Sequence, residues 1–568
     1  MSTFDWIVLC SFTLFVVIYG VWKTRGQKNI NDYLLANKST PWYTVALSIM
    51  ATQASAITFL STPGQAYIDG MRFVQFYLGL PIAMIILSIT VVPIYHKLKV
   101  YTAYEYLETR LDLKNRTLGA ILFLTQRGLA AGFTIFAPSI ILSVLLGWNI
   151  YITNLIVGSL VVIYTASGGT RAVNKTHIHQ MAIIFFGMTA AFFMIYKLLP
   201  DDISVIDAAY VAGKMGKLNA IDFSFNLEDR YTFWTGIIGG TFLALSYFGT
   251  DQSQVQRYLS GSSVSQSRIG LIMNGIIKVP VQFFILFIGA MVFAFYQFVT
   301  PPVYFNTVEE QTVKQSVYSE QYASLENEHK ELFKERNKEL RGMLNAIDNN
   351  DEKKIAGYQK TLEDSKQKQT EIRNAAVDLI KKADPKSDGN DTNYIFLNFV
   401  VNFLPIGLVG LVLAAILSAS MSSTSAELNA LASTTVVDIY KRLIKKEASE
   451  EHYLKVAKLA TVFWGAYAIF FAMFANRLGS LIEAVNILGS LFYGTILGIF
   501  LVAFYIKKVK GNATFIAALI AEAVVILLFS FTDVPYLWFN LIGSVLVVII
   551  SYLINPFVDK NYKPEIRS

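Results

Sequence analysis

A single cysteine, Cys10, occurs in 568 residues. No intramolecular disulfide can form, which excludes a disulfide-stapled ectodomain. Charge is also scarce. Asp, Glu, Lys and Arg make up 16% of the chain, against about 25% in soluble globular domains. Histidine occurs five times, and the apolar stretches hold no nucleophile–base pair and no cluster with metal-ligand spacing. That argues against an enzyme. The first apolar stretch lacks the basic flank and small-residue cleavage site of a signal peptide and carries Asp5 instead.

What the chain has is apolar length. Hydrophobic residues make up 54% of it, with a mean hydropathy of +0.45. We read an all-α polytopic membrane protein. Spans are expected at 4–22, 43–69, 72–95, 117–145, 149–166, 179–199, 231–252, 269–299, 402–428, 456–475, 479–505, 512–532 and 535–555. That is about thirteen, each near the length that crosses the hydrocarbon. The net charge of +7 gathers in alternate loops. Lys23, Arg25 and Lys28 come first, then His96, Lys97, Lys99, Lys114 and Arg116, then Arg171 and Lys175. Lys441, Arg442, Lys445 and Lys446 follow, and last Lys507, Lys508 and Lys510. All share one side if the N-terminus is outside and the C-terminus cytoplasmic. The basic balance is therefore topology. It predicts a lipid bilayer as partner and no nucleic acid, with a bacterial inner membrane as the expected location.

Residues 306–392 are a different material, rich in Glu, Lys, Gln and Asn. Stretches near 309–347 and 351–382 flank the turn-like Asp348-Asn349-Asn350-Asp351. They predict an antiparallel helical hairpin projecting from the extracytoplasmic face. Its apolar stripe (Val317, Tyr318, Tyr322, Leu325, Leu332, Leu340, Met343, Leu344) is thin, which suits a two-helix seam. The hairpin is a spacer or lid strut on one reading, and a docking arm for a protein partner on the other.

Two stretches interrupt the apolar pattern from within. Ser48-Ile-Met-Ala51-Thr52-Gln53-Ala54-Ser55-Ala56-Ile57-Thr58-Phe59 places small and hydroxylic residues where a lipid-facing helix carries Leu and Val. Ala419-Ser420-Met421-Ser422-Ser423-Thr424-Ser425 does the same. Such runs serve close helix packing, or they open the backbone to a ligand. In hydrocarbon, irregular backbone survives only where it lines a cavity or meets protein. A second candidate break holds Gly239-Gly240 and Tyr247-Phe248-Gly249-Thr250-Asp251-Gln252. It lies five spans later, the separation of two inverted five-helix repeats. Carbonyls and hydroxyls without a full carboxylate suit Na⁺, a hard monovalent cation.

With several short segments, these residues resemble the sodium:solute symporter family. The segments are Asp32-Tyr33-Leu34-Leu35-Ala36-Asn37-Lys38, Ala51 to Phe59, Tyr101 to Glu108, Ser167-Gly168-Gly169-Thr170, Arg230 to Trp234, Gln254 to Tyr258 and Asp438-Ile-Tyr440. The likeness covers nearly all of 1–555 apart from the insertion. Some pieces look most like iodide and monocarboxylate/vitamin carriers, others like sialic acid carriers. The resemblance implies a LeuT-like core of 5+5 inverted repeats working by alternating access. It places a peripheral helix at 1–25 and the first part of the core at 43–305. The hairpin insertion follows at 306–392, the rest of the second repeat at 393–510, and peripheral helices with a cytoplasmic tail at 511–568. It assigns Na⁺ to the carbonyls of Ala51, Ala54 and Ala419 and the hydroxyls of Ser422 and Ser423. Some relatives hold a second Na⁺ with an Asp and a Ser where this chain has His177 and Ala426. One Na⁺ per cycle is therefore expected.

For the solute, the positions of the sugar carriers' polar partners read Tyr77, Ala244 and Thr58, which disfavours a neutral hexose. Ser55 and Thr58 fall where sialic acid carriers contact a carboxylate, and Gln53 and Tyr77 add donors. Tyr247 falls on the family's aromatic gate and Lys278 on a substrate-contacting lysine. Arg127 lies a helical turn from an arginine of the sialic acid carriers. A cation buried in a span faces a cavity or a partner, and for Arg127 the partner reading is an ion pair such as one with Asp251. The expected function is Na⁺-coupled symport of a small organic anion, a sugar acid or carboxylate, with no chemistry on it. A neutral sugar or polyol symporter is one alternative. A transport-poor sensor signalling through 306–392 is another.

Overall fold

The computed structural model describes residues 1–23, 40–475 and 479–559, without the side chains of 16, 17, 19–23 and 167–178. The described residues are helical, with one isolated bridge between Thr40 and Gly261. The chain opens with α1 (Thr3–Lys23), α2 (Trp42–Gln53), α3 (Ala56–Asp69), α4 (Leu80–Ile89), α5 (Val91–Leu98) and α6 (Glu105–Arg110). The long α7 (Leu113–Leu146) and α8 (Ile150–Lys197) follow, then α9 (Val205–Lys214), α10 (Gly240–Gly249), α11 (Gln252–Leu259) and α12 (Val264–Phe298). The insertion contributes α13 (Thr307–Lys314), α14 (Ser319–Asp348) and α15 (Glu352–Ala383). The last six are α16 (Ile395–Phe403), α17 (Leu408–Thr434), α18 (Glu450–Ala472), α19 (Leu481–Tyr505), α20 (Gly511–Phe531) and α21 (Leu537–Val558).

Among the described residues, nine helices are long and apolar enough to cross a membrane, and the bent pair α2–α3 makes a tenth. Three shorter apolar helices, Thr3–Phe15, Ile150–Ala166 and Thr235–Gly249, fall on expected spans at 4–22, 149–166 and 231–252. The spans expected separately at 149–166 and 179–199 lie in one helical element, α8. No proline interrupts the segment joining them, and glycines alone cost a helix only about 1 kcal/mol each. The side chains of Ser167 to Thr170, Arg171, Lys175 and His177, like all of Arg25, Lys28 and 32–38, lie outside the described residues.

The first expected break is present; in the second candidate Gly239-Gly240 stays helical, and the interruption falls at Thr250-Asp251, at the end of the expected span. Between α2 and α3 the axis bends by 60°. Ala54 closes α2 at φ −86°, ψ 73°, its N–H donating to Met50 O, and Ser55 is extended. The second break separates α10 from α11. There the Asp251 carboxylate caps α11 by accepting from Ser253 N at 2.8 Å. α1 packs against α8 and α17. Its buried Asp5 accepts the N–H groups of Gly407 (2.6 Å) and Gly410 (3.2 Å), so one helix caps the start of another.

The hairpin forms as expected, α14 pairing with α15 through a turn where Asn350 takes φ 53°. It does not stand away from the core. Arg336 donates to Gln297 Oε1 at 2.9 Å, Asn337 to Gln297 O at 3.2 Å and Gln359 to Lys214 O at 3.2 Å. Arg341 pairs with Asp202, and Arg373 with the buried Asp391. The apolar stripe explains the posture. Leu340, Met343 and Leu344 join the main core, and Tyr322 packs with Val303, Tyr304 and Ile372, while Val317 is 90% exposed. A stripe too thin to bury a free hairpin buries it against the bundle.

Candidate functional site

The α2–α3 break and the hydroxyl-rich α17 pack against each other. Ala51 lies in the last turn of α2, where helix carbonyls lack intrahelical donors. Ala54 is the break itself. Ala419, Ser422 and Ser423 are buried on α17. Ser423 Oγ donates back to Ala419 O at 3.0 Å and to Ser420 O at 3.2 Å, whereas the buried Ser422 hydroxyl has no hydrogen-bond partner. No group of three His, Cys, Asp or Glu poised for a metal ion occurs among the described residues. The oxygen donors available here are carbonyls and hydroxyls, which suit Na⁺.

Beside this junction is a cavity. Its empty volume is about 840 Å³, counting the space that opens to solvent. Six of the seven residues expected to meet the solute line it: Gln53, Ser55, Thr58, Tyr77, Arg127 and Tyr247. Lys278 is outside the lining. It is buried, with its ammonium 5.7 Å from the ring centre of Tyr77. Ser55 is the N-cap of α3, yet its side chain makes no capping bond. The buried Gln53 Oε1 also lacks a partner.

The guanidinium of Arg127 is fully engaged. Its Nε donates to Asp251 Oδ2 at 3.1 Å, one terminal nitrogen to Glu427 Oε1 at 3.1 Å, and the other to Asp251 and to the Tyr493 hydroxyl. Tyr493 OH in turn donates to Asp251 Oδ2 at 2.9 Å, and Thr134 Oγ1 to Glu427 Oε2 at 2.9 Å. The Tyr247 ring lies 5.4 Å from the guanidinium, and Gln254 donates to its hydroxyl at 2.6 Å. The expected alternative for Arg127, an ion pair with Asp251, is present, and Glu427 joins it.

Glu427, Gln126, Thr134, Tyr493 and Asn486 also line the cavity and were not expected from the sequence. Glu427 carried a usable signal, being an ionisable residue inside a span. The others carried none in one sequence. Where the resemblance would place a second Na⁺, Ser425 Oγ is hydrogen-bonded to Thr165 Oγ1 at 2.7 Å and Ala426 is buried.

At the end of α7 remote from the hairpin, Glu108 is bound by Arg442 and, at 2.8 Å, by Arg116. The Arg442 hydrogen bonds, with Arg116 adding to them, hold its carboxyl down at about 2.

The sodium:solute symporter family model matches residues 33–323 and 379–521. The sodium/sialic acid symporter NanT of Aliivibrio fischeri is 24% identical over 99% of this chain and 95% of its own length. The sodium/sialic acid symporter SiaT of Proteus mirabilis is 24% identical over 97% and 95%. The Xenopus laevis sodium-coupled monocarboxylate transporter 1 is 32% identical, over 48% of this chain and 44% of its own. A solved substrate-bound, outward-open Na⁺-coupled sialic acid symporter superimposes with a TM-score of 0.75 at 22% identity, covering 99% of both chains. The fold is therefore the LeuT-like one expected. The family match stops within α14 and resumes near the end of α15, so most of the hairpin is foreign to it. Since the match takes in both helix breaks and the hydroxyl-rich α17, the chain belongs to the sodium:solute symporter family and is a Na⁺-coupled solute symporter.

Proposed function

We propose that the protein imports a small organic anion, a sugar acid or carboxylate, by alternating access. The observation that carries this reading is the uncapped start of α3 at the cavity. A helix N-terminus presents unpaired N–H groups and the positive end of its dipole, which favour a carboxylate. Broken helices of secondary transporters offer anionic substrate groups this half-helix end. The Ser55 and Thr58 hydroxyls and the Gln53 amide complete a polar set there, with Tyr77 and Tyr247 as apolar walls. Two relatives alike over nearly the whole chain are named for sialic acid, an anionic sugar. Na⁺ binds the carbonyls of Ala51, Ala54 and Ala419 and the hydroxyls of Ser422 and Ser423. The N-terminus is outside and the C-terminus cytoplasmic.

One observation favours a neutral sugar or polyol instead. The charges meeting at Arg127 are two carboxylates and one guanidinium, an excess that repels an anion. Proteoliposome uptake separates the readings, with N-acetylneuraminate, pyruvate and sorbitol offered under inward Na⁺ or K⁺ gradients. Uptake of an anion only with Na⁺, abolished by Ser423→Ala, is the expected result. Uptake of sorbitol alone would select the neutral reading, and equal uptake in K⁺ would remove the proposed Na⁺ site.

A further inference from the structure

Glu522 is the only charged residue in α20. It lies mid-helix, roughly 15 Å from either end at about 1.5 Å per residue. A helix long and apolar enough to cross the membrane therefore holds it near the midplane. The buried side of α20 is a seam of small residues, Ala513, Ala517, Ala518 and Ala521. Glu522 is on that side, 9% exposed, and neither of its carboxyl oxygens has a hydrogen-bond partner among the described residues.

α20 packs against α7, α19 and α21. Among the described residues, none of them brings a charge to the Glu522 carboxyl. On α7, Lys114 bonds Asn512 in the first turn of α20, Arg116 holds Glu108 and Asp438, and Arg127 holds Asp251 and Glu427. On α19, Glu483 accepts from the Tyr231 hydroxyl at the head of the helix, and Tyr493 donates to Asp251. Tyr505 of α19 and Tyr552 of α21 are exposed, and Asp559, just past α21, accepts from Ala513 N. What faces the carboxyl is the Thr495 hydroxyl of α19. Thr495 is fully buried, and its Oγ1 has no hydrogen-bond partner either.

A bare carboxylate at this depth is strongly unfavourable without a cation to offset it. In the acid form the group is neutral, and its O–H has the Thr495 oxygen as acceptor. We propose that Glu522 and Thr495 form a proton-binding site in the α19–α20 seam, apart from the transport cavity and from the Ala51–Ser423 site. The proton keeps the seam neutral and lets the small residues of α20 stay against α19. α19 supplies Ile482, Val485, Asn486 and Tyr493 to the cavity, so the protonated seam braces one wall of it from behind.

The test is infrared spectroscopy of the purified full chain at neutral pH, in Na⁺ and in K⁺ buffer, comparing wild type with Glu522→Gln and Thr495→Val. A carboxylic acid and a carboxylate absorb at separate stretching bands. If Glu522 holds a proton, subtracting the Glu522→Gln spectrum from that of wild type leaves a carboxylic acid C=O band in both buffers. Thr495→Val keeps that band and moves it to higher frequency, because the acid loses its hydrogen-bond acceptor. Thermal midpoints add a second readout. Glu522→Gln exchanges one neutral group for another, so its midpoint stays close to that of wild type. A carboxylate band in the difference spectrum would overturn the proposal, as would a midpoint raised well above wild type by relief of a bare charge. An acid band that Na⁺ converts to carboxylate would overturn it too, by making sodium the occupant. Thr495→Val leaves every charge in place, so it reports even if Glu522→Gln folds poorly, and an acid region identical to that of wild type would remove the site.

Discussion

Removing Arg127 should be among the most damaging single changes in the bundle, and the structure says how the damage divides. In Arg127→Ala, two buried carboxylates lose the guanidinium they share. Breaking a buried ion pair from one side costs about 3–5 kcal/mol, because an uncompensated charge remains. The two carboxylates are not equally exposed to that loss. Asp251 keeps Ser253 N (2.8 Å), Ser253 Oγ (2.6 Å) and Tyr493 OH (2.9 Å) as donors, whereas Glu427 keeps only Thr134 Oγ1. Most of the penalty therefore falls on Glu427. Glu427→Gln alone leaves Arg127 paired one-to-one with Asp251, and the amide can still accept from Arg127. Its cost should stay within about 1.5 kcal/mol, that of one hydrogen bond. The double variant Arg127→Ala/Glu427→Gln should then be more stable than Arg127→Ala alone, by about 1–2 kcal/mol. The assay is equilibrium unfolding in mixed micelles titrated with dodecyl sulfate, followed by tryptophan fluorescence. The reasoning fails if Arg127→Ala loses less than about 1 kcal/mol, or if Glu427→Gln loses as much as Arg127→Ala.

Other outcomes follow from the same coordinates. Glu108 is held at about 2 by Arg442 and Arg116, below the ordinary 4.5 of a glutamate. Its depressed folded pKa contributes stability above about pH 4.5 that is lost as the pH falls towards 2. The stability gap between wild type and Arg442→Ala should therefore be full at pH 7 and close over that interval, and a gap persisting at pH 2 would contradict it. A Cβ added at Gly64 would lie 2.0 Å from Thr392 O, so Gly64→Ala should destabilise by about 1–3 kcal/mol. Gly357 in α15 meets nothing within 4 Å, so Gly357→Ala should stabilise by about 0.5–1 kcal/mol in the same unfolding assay. Replacing 324–378, the part of the hairpin outside the family match, with a short glycine-serine turn should cut uptake several-fold while the core stays folded. Unchanged uptake would make the hairpin a spacer.

Helix content, the α2–α3 break and the pairing of the hairpin were legible because each has a local cause. Apolar length marks spans, small hydroxylic residues mark the break, and Asp348 to Asp351 mark the turn. The walls of the cavity were partly legible, since Gln53, Ser55 and Thr58 lie within the anomalous run. Tyr493 and Gln126 were not. They sit on ordinary apolar helices, and only the packing of α7 against α19 brings them to the site. The posture of the hairpin was illegible for a similar reason. A thin stripe has the same pattern whether it faces a partner helix or the bundle, and only Leu340, Met343 and Leu344 in the main core decide it.

That posture has a mechanical consequence. Through Arg336 and Asn337 the hairpin holds the end of α12, and through Gln359 the end of α9. Through Arg373 it holds Asp391, whose neighbours Thr392 and Asn393 sit against Gly64 of α3 and bond Leu481 at the head of α19. Ile482 and Asn486 of that helix, and Thr58 of α3, are cavity walls. Any motion that parts α3 or α19 from α12 must carry the hairpin with one side and shear its bonds to the other. The hairpin thus ties together helices that meet at the cavity, and shortening its contacts should be read out as a change in how readily those helices part.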